Sequence, residues 1–216
     1  MKIDVKGTIV SNDDAWIYDW FGIQNTSPAL VEEALAEANG DDVDVDINSG
    51  GGDVFAGSEI YSALRAYEGN VKIHVVGFCA SAASVIAMAG HSDMSPTAQM
   101  MVHNVSMTDS GDYHAHDKAS EILRTANKSI AAAYVEKSGM ELQEAVDLMD
   151  RETWLTAYDA VKYGLIDEIA TPKQTNAMQL VASVGATILP AKILNEYRSR
   201  KLELQQQLDT LRNMEV

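Results

Sequence analysis

Ser81 is the residue whose type and setting best suit nucleophilic chemistry. It stands at a strand-to-helix junction and opens the small, apolar segment SAASVIAMAG. Small neighbours let a substrate approach the backbone closely, and the amide of the next residue, Ala82, would point at a reacting carbonyl. The alternative interpretation is a serine that caps a helix N-terminus, which is common. Ser84, one turn later, is the rival nucleophile, but its depth favours packing in the core.

His103 follows the apolar run TAQMMV and is the candidate base for Ser81. A histidine in this setting can accept the hydroxyl proton. A carboxylate such as Asp150 or Glu152 can then hold the imidazole by accepting its other ring N–H. The alternative is a structural histidine and two surface acids in an acidic protein.

Three further candidates are interpreted as inert. Cys79 is predicted to be a small, buried strand residue rather than a thiol nucleophile. His114 and His116, in the stretch HAHD, look like a pair of metal ligands. Two ligands in a surface loop without a third partner are weak grounds for a metal site, so both are predicted to be solvated.

A glycine triplet, Gly50-Gly51-Gly52, follows one predicted strand and precedes a predicted helix. It fits neither common phosphate-binding pattern, because it lacks both Gly-x-Gly-x-x-Gly and Gly-Lys-Ser/Thr. Its backbone N–H groups could instead receive a developing oxyanion. A plain tight turn is the alternative that this segment by itself leaves open.

The elements that must position these residues alternate between strand and helix. Period-two alternation predicts a strand at 42–47, a helical segment follows from 54, and another strand is predicted at 71–76. This βαβ arrangement predicts a parallel sheet with a right-handed crossover. Further predicted elements are an opening strand at 3–10, a helix from Pro28 to Gly40, a buried helix over 81–90, a strand at 97–102, a long helix from about Asp117 to Lys137, and a helix at 141–149.

The composition excludes several classes of function. The 216 residues include 32 acidic and 16 basic side chains, a formal charge of −16. This balance disfavours binding to nucleic acid or to an anionic membrane. A single cysteine excludes an intrachain disulfide, and no apolar run is long enough to span a membrane. The start, MKIDVKGTIV, lacks the apolar core of a signal peptide, so a soluble protein of a reducing compartment is expected.

The charge is divided unevenly along the chain. Residues 1–170 carry a net charge of −18, whereas residues 171–216 carry +2. The change falls at Thr171-Pro172 and predicts a domain boundary there. The segment 171–216 is predicted to be a linker followed by an amphipathic helical tail.

Taken together and in order, these segments resemble the Clp protease proteolytic subunit family, and more closely its phage and prophage relatives, the head maturation proteases. DINSGGGDVFAGSEIYSAL is similar to the family's Ile-Asn-Ser-Pro-Gly-Gly segment, with Gly50 in place of the proline. VVGFCASAASVIAMAG is similar to the nucleophile block, whose serine stands nine residues before its closing glycine. Counting back from Gly90 gives Ser81 rather than Ser84. AQMMVHNVS is similar to the histidine block, and RETWLTAYDAVKYGLIDEI to the segment after the third triad member.

The resemblance covers roughly residues 3–170 and implies a serine protease domain. The implied fold is α/β, a ClpP/crotonase-like spiral of βαβ units with residues 117–137 as a protruding handle helix that pairs subunits. The implied triad is Ser81, His103 and Glu152, which stands where the family usually has aspartate. Asp150 is the alternative third member.

The resemblance also implies how a substrate would be held. The backbone amides of Gly52 and Ala82 would form the oxyanion hole. A polypeptide substrate would lie as an extended strand beside Gly51, Asp53, Val54 and Phe55. No metal or organic cofactor is implied.

The implied function is that of an ATP-independent serine endopeptidase of a phage or prophage that processes capsid or scaffold proteins. The implied assembly is a homo-oligomer of two stacked heptameric rings, a tetradecamer, in the host cytoplasm or the phage prohead. Nucleic acid and membranes are not expected as partners. The alternatives are a crotonase-type acyl-CoA enzyme and a proteolytically inactive structural ring subunit.

Overall fold

The computed structural model describes residues 1–171, in which strands and helices alternate. The strands are Lys2–Ile9 (β1), Asn25–Thr26 (β2), Val43–Gly52 (β3), Val71–Ala80 (β4), His91–Met94 (β5), Gln99–Val102 (β6), Thr153–Thr156 (β7) and Glu168–Ile169 (β8). The helices are Asn12–Trp20 (α1), Pro28–Ala38 (α2), Val54–Ala66 (α3), Ala82–Ile86 (α4), Tyr113–Ser138 (α5), Leu142–Asp150 (α6) and Ala157–Lys162 (α7), with a 3₁₀ helix at Ala87–Ala89. The predicted α/β class is confirmed. The predicted tail helix lies outside the described residues.

A mostly parallel sheet forms the centre of this part of the chain. Its strand order is β2-β1-β3-β4-β5-β8, and β6 pairs with β4 and with β7. Within residues 1–171 the β6–β7 pair is antiparallel and every other pair is parallel. The predicted β3–α3–β4 unit is therefore confirmed as a parallel pair joined through a helix.

Alternation along β3 decides which face of the sheet meets the core. Val43, Val45 and Ile47 are each 1% exposed or less. Asp44 and Asp46 lie between them and therefore point to the opposite face. There Asp46 pairs with Lys2 on β1 at 2.7 Å. The sequence pattern thus fixes both the orientation of the strand and its polar outer surface.

Strand β4 pairs with two different strands, one after the other, along the edge that faces away from β3. Residues 72–75 pair with β5, whereas residues 78–80 pair with β6. Between these two stretches the register against β3 shifts. The Asn48 side chain bridges the irregularity, where its Oδ1 accepts a hydrogen bond from the Phe78 N–H at 2.9 Å. This division lets the last part of β4 and β6 come together below the candidate catalytic residues.

Helix α5 extends well beyond the core, as expected for a handle. Its 26 residues span about 39 Å at 1.5 Å per residue. Apart from Ala119, its buried residues lie in the C-terminal half, at Ile130, Ala131, Ala133 and Tyr134. Despite this length, no helix within residues 1–171 combines the length and apolar character needed to cross a membrane.

The start of α5 corrects the prediction for His114 and His116. The helix begins at Tyr113, because the Asp112 side chain caps it by accepting a hydrogen bond from the Ala115 N–H. The two histidines therefore lie in the first helical turn rather than in a loop, and both are exposed. In the described part of the chain, no group of three His, Cys, Asp or Glu side chains is placed to hold a metal ion.

Helix α1 is the longest of the elements within residues 1–171 that the sequence pattern did not predict, the others being β2, β5, β7, α7 and β8. None of its residues is buried, so it lacks the apolar periodicity that marks a packed helix. It is held instead by polar contacts. The Ser11 side chain caps it, and the Asn12 Oδ1 accepts a hydrogen bond from the Ala29 N–H of α2 at 2.8 Å.

Lys137 anchors the C-terminal end of α5 to the sheet. Its side chain is only 10% exposed, and its ammonium donates to the Gly90 carbonyl oxygen at 2.8 Å and to the Asp167 carboxylate. Asp167 also accepts a hydrogen bond from the Ser92 N–H at 2.7 Å. Partial burial of Asp167 disfavours its charged form, but the hydrogen bonds from Lys137 and Ser92 outweigh this and hold the pKa of Asp167 below its ordinary value.

Replacing Lys137 with Met should lower the free energy of unfolding by about 1.5–3 kcal/mol at neutral pH, because it removes a charged, nearly buried hydrogen-bond donor. Since the pKa of Asp167 is lowered in the folded state, its stabilising contribution is present above the ordinary aspartate pKa of about 3.9. It is lost as the pH falls through the folded-state value. The gap between wild type and variant should therefore narrow in acid, as measured by urea denaturation at several pH values.

Lys118→Met is the matched control on the same helix. Lys118 pairs with Glu121 at 3.0 Å, but its side chain is 70% exposed. An exposed ion pair of this kind contributes about 0.5 kcal/mol or less. Equal losses of stability in the two variants would contradict the anchoring role of Lys137.

Candidate active site

Ser81 occupies the sharp turn between β4 and α4. Its backbone has φ 56° and ψ −127°, a conformation that costs a non-glycine residue about 1–3 kcal/mol. The turn is held from both sides. The Ser81 N–H donates to the Met101 carbonyl oxygen at 3.0 Å, and the Ser81 carbonyl accepts from the Ser84 N–H at 2.9 Å. The Ser81 side chain makes no capping hydrogen bond to α4, which argues against the helix-cap interpretation.

Ser84 supports this turn from inside the core. It is fully buried, and its hydroxyl lies 2.6 Å from the Ser81 carbonyl oxygen and 2.7 Å from the Tyr134 hydroxyl. Burial raises the pKa of Tyr134, so its phenol stays protonated and available for this hydrogen bond. The prediction that Ser84 packs in the core is confirmed.

Cys79 is also buried, as predicted. It is fully shielded from solvent, and its Sγ lies 3.4 Å from the Ala83 carbonyl oxygen. Burial raises the pKa of the Cys79 thiol, which keeps it in the neutral, unreactive form.

The imidazole of His103 reaches the Ser81 hydroxyl. Its Nε2 lies 2.8 Å from the Ser81 Oγ, although 22 residues separate them in the chain. His103 directly follows β6, and β6 runs parallel to the last part of β4, with Met101 opposite Ala80. Parallel strands end at the same edge of a sheet, so this pairing brings the residues after β4 and after β6 together. The structure therefore places the two predicted residues in hydrogen-bonding contact.

The glycine triplet forms the end of β3 rather than a plain turn, which corrects the alternative interpretation. Gly51 and Gly52 pair with β1 and have φ of +90° and +153°. The Ser49 hydroxyl holds this end of the strand, because it donates to the Gly7 carbonyl oxygen at 2.6 Å and accepts from the Gly51 N–H at 3.0 Å. The positive φ values explain why glycine is needed here.

Gly51 lets β3 approach the Ser81 turn closely. A methyl group at Gly51 would lie 2.7 Å from the Ser81 Cβ and 2.9 Å from the Ala82 nitrogen. A methyl group at Gly57 would likewise lie 2.9 Å from the Ala82 Cβ. Small residues on both sides therefore let two backbone segments meet beside the Ser81 hydroxyl.

Ser81 and His103 open onto a cavity of about 360 Å³, a size typical of ligand sites. One wall contains the residues predicted to form the oxyanion hole and the substrate strand, namely Gly52, Ala82, Asp53, Val54 and Phe55. The opposite wall is the apolar side of α5, with Ile122, Leu123, Ala126 and Ile130. Such walls suit an apolar side chain.

Two of the predicted substrate residues have additional structural roles. The Asp53 carboxylate accepts a hydrogen bond from the Ala56 N–H at 2.8 Å and thus caps α3. Gly51 is buried against the Ser81 turn and does not line the cavity.

The two candidate carboxylates are hydrogen-bonded to groups other than His103. Glu152 stands between α6 and β7 with φ 49°, and its carboxylate accepts from the Trp154 indole N–H at 3.3 Å. Asp150, at the end of α6, accepts from the Asn104 side-chain amide at 2.7 Å. Neither of these hydrogen bonds involves His103, so the third triad member stays a prediction.

Asn104 helps to position the His103 segment, a role that the sequence did not reveal. It follows His103 directly, and its hydrogen bond to Asp150 ties the His103 segment to the end of α6. The next residue, Val105, donates its N–H to the Asn127 Oδ1 of α5 at 2.8 Å. An asparagine next to a candidate base was the available signal, but its partners come from elements far away in the chain.

These positions suit nucleophilic attack on a carbonyl. The imidazole nitrogen can accept the hydroxyl proton over 2.8 Å, which is within the range for general-base catalysis. The cavity beside it accommodates the group that is attacked, and two backbone segments flank it.

Comparison with known proteins agrees with this geometry. A profile of the Clp protease family matches residues 27–173. The ATP-dependent Clp protease proteolytic subunits of Bacteroides fragilis strains ATCC 25285 and YCH46 are each 29% identical to this chain over 137 residues. These matches cover 62% of this chain and 66% and 62% of the two proteins, so the chain spans less than two thirds of their length. Because the family profile matches more than half of the sequence, including the Ser81 and His103 segments, this chain belongs to the Clp protease family.

Proposed function

We propose that this chain is a serine endopeptidase with Ser81 as its nucleophile and His103 as its general base. The observation that carries the proposal is the 2.8 Å contact between the Ser81 Oγ and the His103 Nε2 at the mouth of a cavity. Membership in the Clp protease family supports it. A crotonase-type acyl-CoA enzyme is not favoured, because such an enzyme has no need of this serine–histidine pair.

The proposed reaction proceeds through an acyl-enzyme. The Ser81 Oγ attacks the scissile carbonyl carbon while the His103 Nε2 takes the hydroxyl proton. His103 then gives this proton to the leaving amine as the C–N bond breaks. A water molecule, deprotonated by His103, attacks the ester and releases the second product.

The backbone amides of Gly52 and Ala82 are proposed to bind the oxyanion. Ala82 directly follows the nucleophile, and both residues line the cavity beside Ser81. The close approach of Gly51 to the Ser81 turn supports this role, because it brings the two backbone segments together. Fixed donors of this kind stabilise the negative charge that develops in the transition state.

Glu152 is the preferred third member. In the antiparallel β6–β7 pair, Val102 lies opposite Thr153. The next residue on one strand, His103, therefore lies opposite the preceding residue on the other, Glu152. A rotation of the Glu152 side chain away from Trp154 would bring its carboxylate towards the free side of the imidazole, where it would hold the ring and stabilise its charged form.

The proposed substrate is a polypeptide in extended conformation beside Gly52–Phe55. The apolar wall of α5 favours an apolar side chain at P1, the residue whose carbonyl is attacked. The reaction as proposed needs no nucleotide. In keeping with the resemblance to head maturation proteases, we further propose that the natural substrates are capsid or scaffold proteins. Assembly into rings, with α5 as the handle helix that pairs subunits, belongs to the same proposal.

Ser81→Ala should abolish both peptide hydrolysis and labelling by a fluorophosphonate probe, because it removes the nucleophile. The attached mass, located by mass spectrometry of the labelled peptide, identifies the modified residue. Ser84→Ala is the matched control, which should keep the label and lose about 1 kcal/mol of stability with its hydrogen bonds. Labelling that survives in Ser81→Ala, or that disappears only in Ser84→Ala, would refute the assignment.

Glu152→Gln should lower kcat by about 1,000- to 10,000-fold with little change in KM, because a neutral amide neither fixes the correct tautomer nor stabilises the imidazolium. Asp150→Asn is the comparison and should change kcat less than about tenfold. Steady-state kinetics on a fluorogenic peptide measure both. If Asp150→Asn lowers kcat more than Glu152→Gln does, then Asp150 rather than Glu152 is the third triad member.

Gly52→Ala should lower kcat by about 100- to 1,000-fold, the usual cost of losing one oxyanion donor. A methyl group at Gly52 would overlap the Ile9 carbonyl oxygen, so the backbone must move. Gly50→Ala is the control, because its nearest neighbour is the Phe78 ring at 3.8 Å, an ordinary contact. Equal kcat values in the two variants would argue against an oxyanion hole at Gly52.

A further inference from the structure

We infer that a second groove, on the far side of Phe55 from Ser81, binds the side chain of the substrate residue P3, two positions before P1, and selects an apolar one. This inference rests on the proposed peptidase function. It adds a second specificity pocket that adjoins the cavity at Ser81 and shares part of its lining.

The second groove lies between the start of α3 and α5. Its volume is about 360 Å³, and it shares Val54, Phe55, Ile122, Ala126 and Ile130 with the cavity at Ser81. The Phe55 side chain is 76% exposed and that of Ile122 is 50% exposed. These large apolar side chains stand between the two depressions and form a common wall.

The groove is more apolar than its residue types suggest. The Thr125 hydroxyl donates to the Glu121 carbonyl oxygen at 2.9 Å, and the Ser129 hydroxyl donates to the Thr125 carbonyl oxygen at 3.2 Å. These donors are therefore engaged within α5. At the rim, Lys118 and Glu121 neutralise one another at 3.0 Å. An apolar side chain can therefore cover these two α5 hydroxyls without breaking their hydrogen bonds.

The spacing of the two depressions suits alternate residues of an extended peptide. In a strand, side chains two residues apart point to the same side and are separated by about 6.6 Å. The two pockets are neighbours across the Phe55 side chain, as binding of alternate residues requires. A substrate backbone that runs along Val54 and Phe55 would place P1 in the first pocket and its second neighbour in the other.

The position of His103 decides the direction of the chain. His103 must protonate the leaving amine, so the residues after the scissile bond depart on the His103 side. The cavity at Ser81 includes His103 and residues 104–107, whereas the second groove touches none of them. The second groove therefore lies on the acyl side, and its occupant is P3 rather than a residue of the leaving group.

The test compares fluorogenic peptides that share Leu at P1 and carry Leu, Ala or Asp at P3, cleaved by the full chain. The wild type should prefer Leu over Ala at P3 by about tenfold or more in kcat/KM. Ser58→Phe places a large side chain in the groove. Ser58 lines the groove and does not line the cavity at Ser81. This variant should reduce the preference to about twofold, because it lowers kcat/KM for the Leu peptide more than for the Ala peptide.

Ser62→Phe is the matched control. Ser62 is exposed one turn further along α3 and lines neither pocket, so the variant should keep the wild-type preference. Equal kcat/KM values of the wild type for the three peptides would overturn the inference, as would a preference for Leu at P3 that survives Ser58→Phe. A change of particle mass in Ser58→Phe would also overturn it, because the groove would then be a contact between copies.

A second measurement separates this inference from the proposed function. The affinity of the Ser81→Ala chain for the same peptides, measured by fluorescence anisotropy, should show the same order, with Leu at P3 bound most tightly. Selective binding without cleavage by the wild type would refute the peptidase proposal and retain the groove. Cleavage by the wild type with equal affinity for all P3 residues would refute the groove and retain the peptidase.

Discussion

The close packing of the end of β3 against the Ser81 turn is the constraint on which the rest of the candidate site depends. Gly51 has no side chain to hold the two backbones apart, and Ser49 fixes its N–H from below. The Ser81 turn is thereby seated on a sheet whose strands are linked by parallel ladders. The strained backbone of Ser81 persists because the surrounding structure fixes it from several sides, as expected of a residue placed for chemistry.

The parts of the fold that the sequence predicts well are those where burial imposes a period. β3 alternates because one face meets the core and the other meets water, and α2 and the C-terminal half of α5 present apolar stripes for the same reason. Helix α1 escapes prediction because nothing in it is buried. The first turn of α5 was missed because it depends on a capping aspartate, Asp112, rather than on packing.

The residues of the candidate site also divide into those that the sequence predicts and those that it does not. Ser81 and His103 could be predicted, because each follows a strand and both strands end at one edge of a parallel sheet. The third member could not be fixed, because the direction of the Glu152 side chain depends on Trp154 and on a positive φ that a sequence pattern does not reveal. The grooves beside α5 were equally hidden, since their walls come from segments more than fifty residues apart.

The β6–β7 pair has a further consequence for how the proposed machinery is held together. This antiparallel strand pair carries His103 directly after β6 and Glu152 directly before β7, whereas the nucleophile and the glycine segment belong to the parallel part of the sheet. Besides the contacts of Ser81 with Met101 and His103, the two parts meet through three residue pairs between β4 and β6 and through the stacked rings of Phe78 and Trp154, whose centroids are 5.7 Å apart. A rigid tilt of this strand pair would therefore move the base relative to the nucleophile. A displacement of α6 or β7 would thus be transmitted to the reacting atoms through the contacts between β4 and β6.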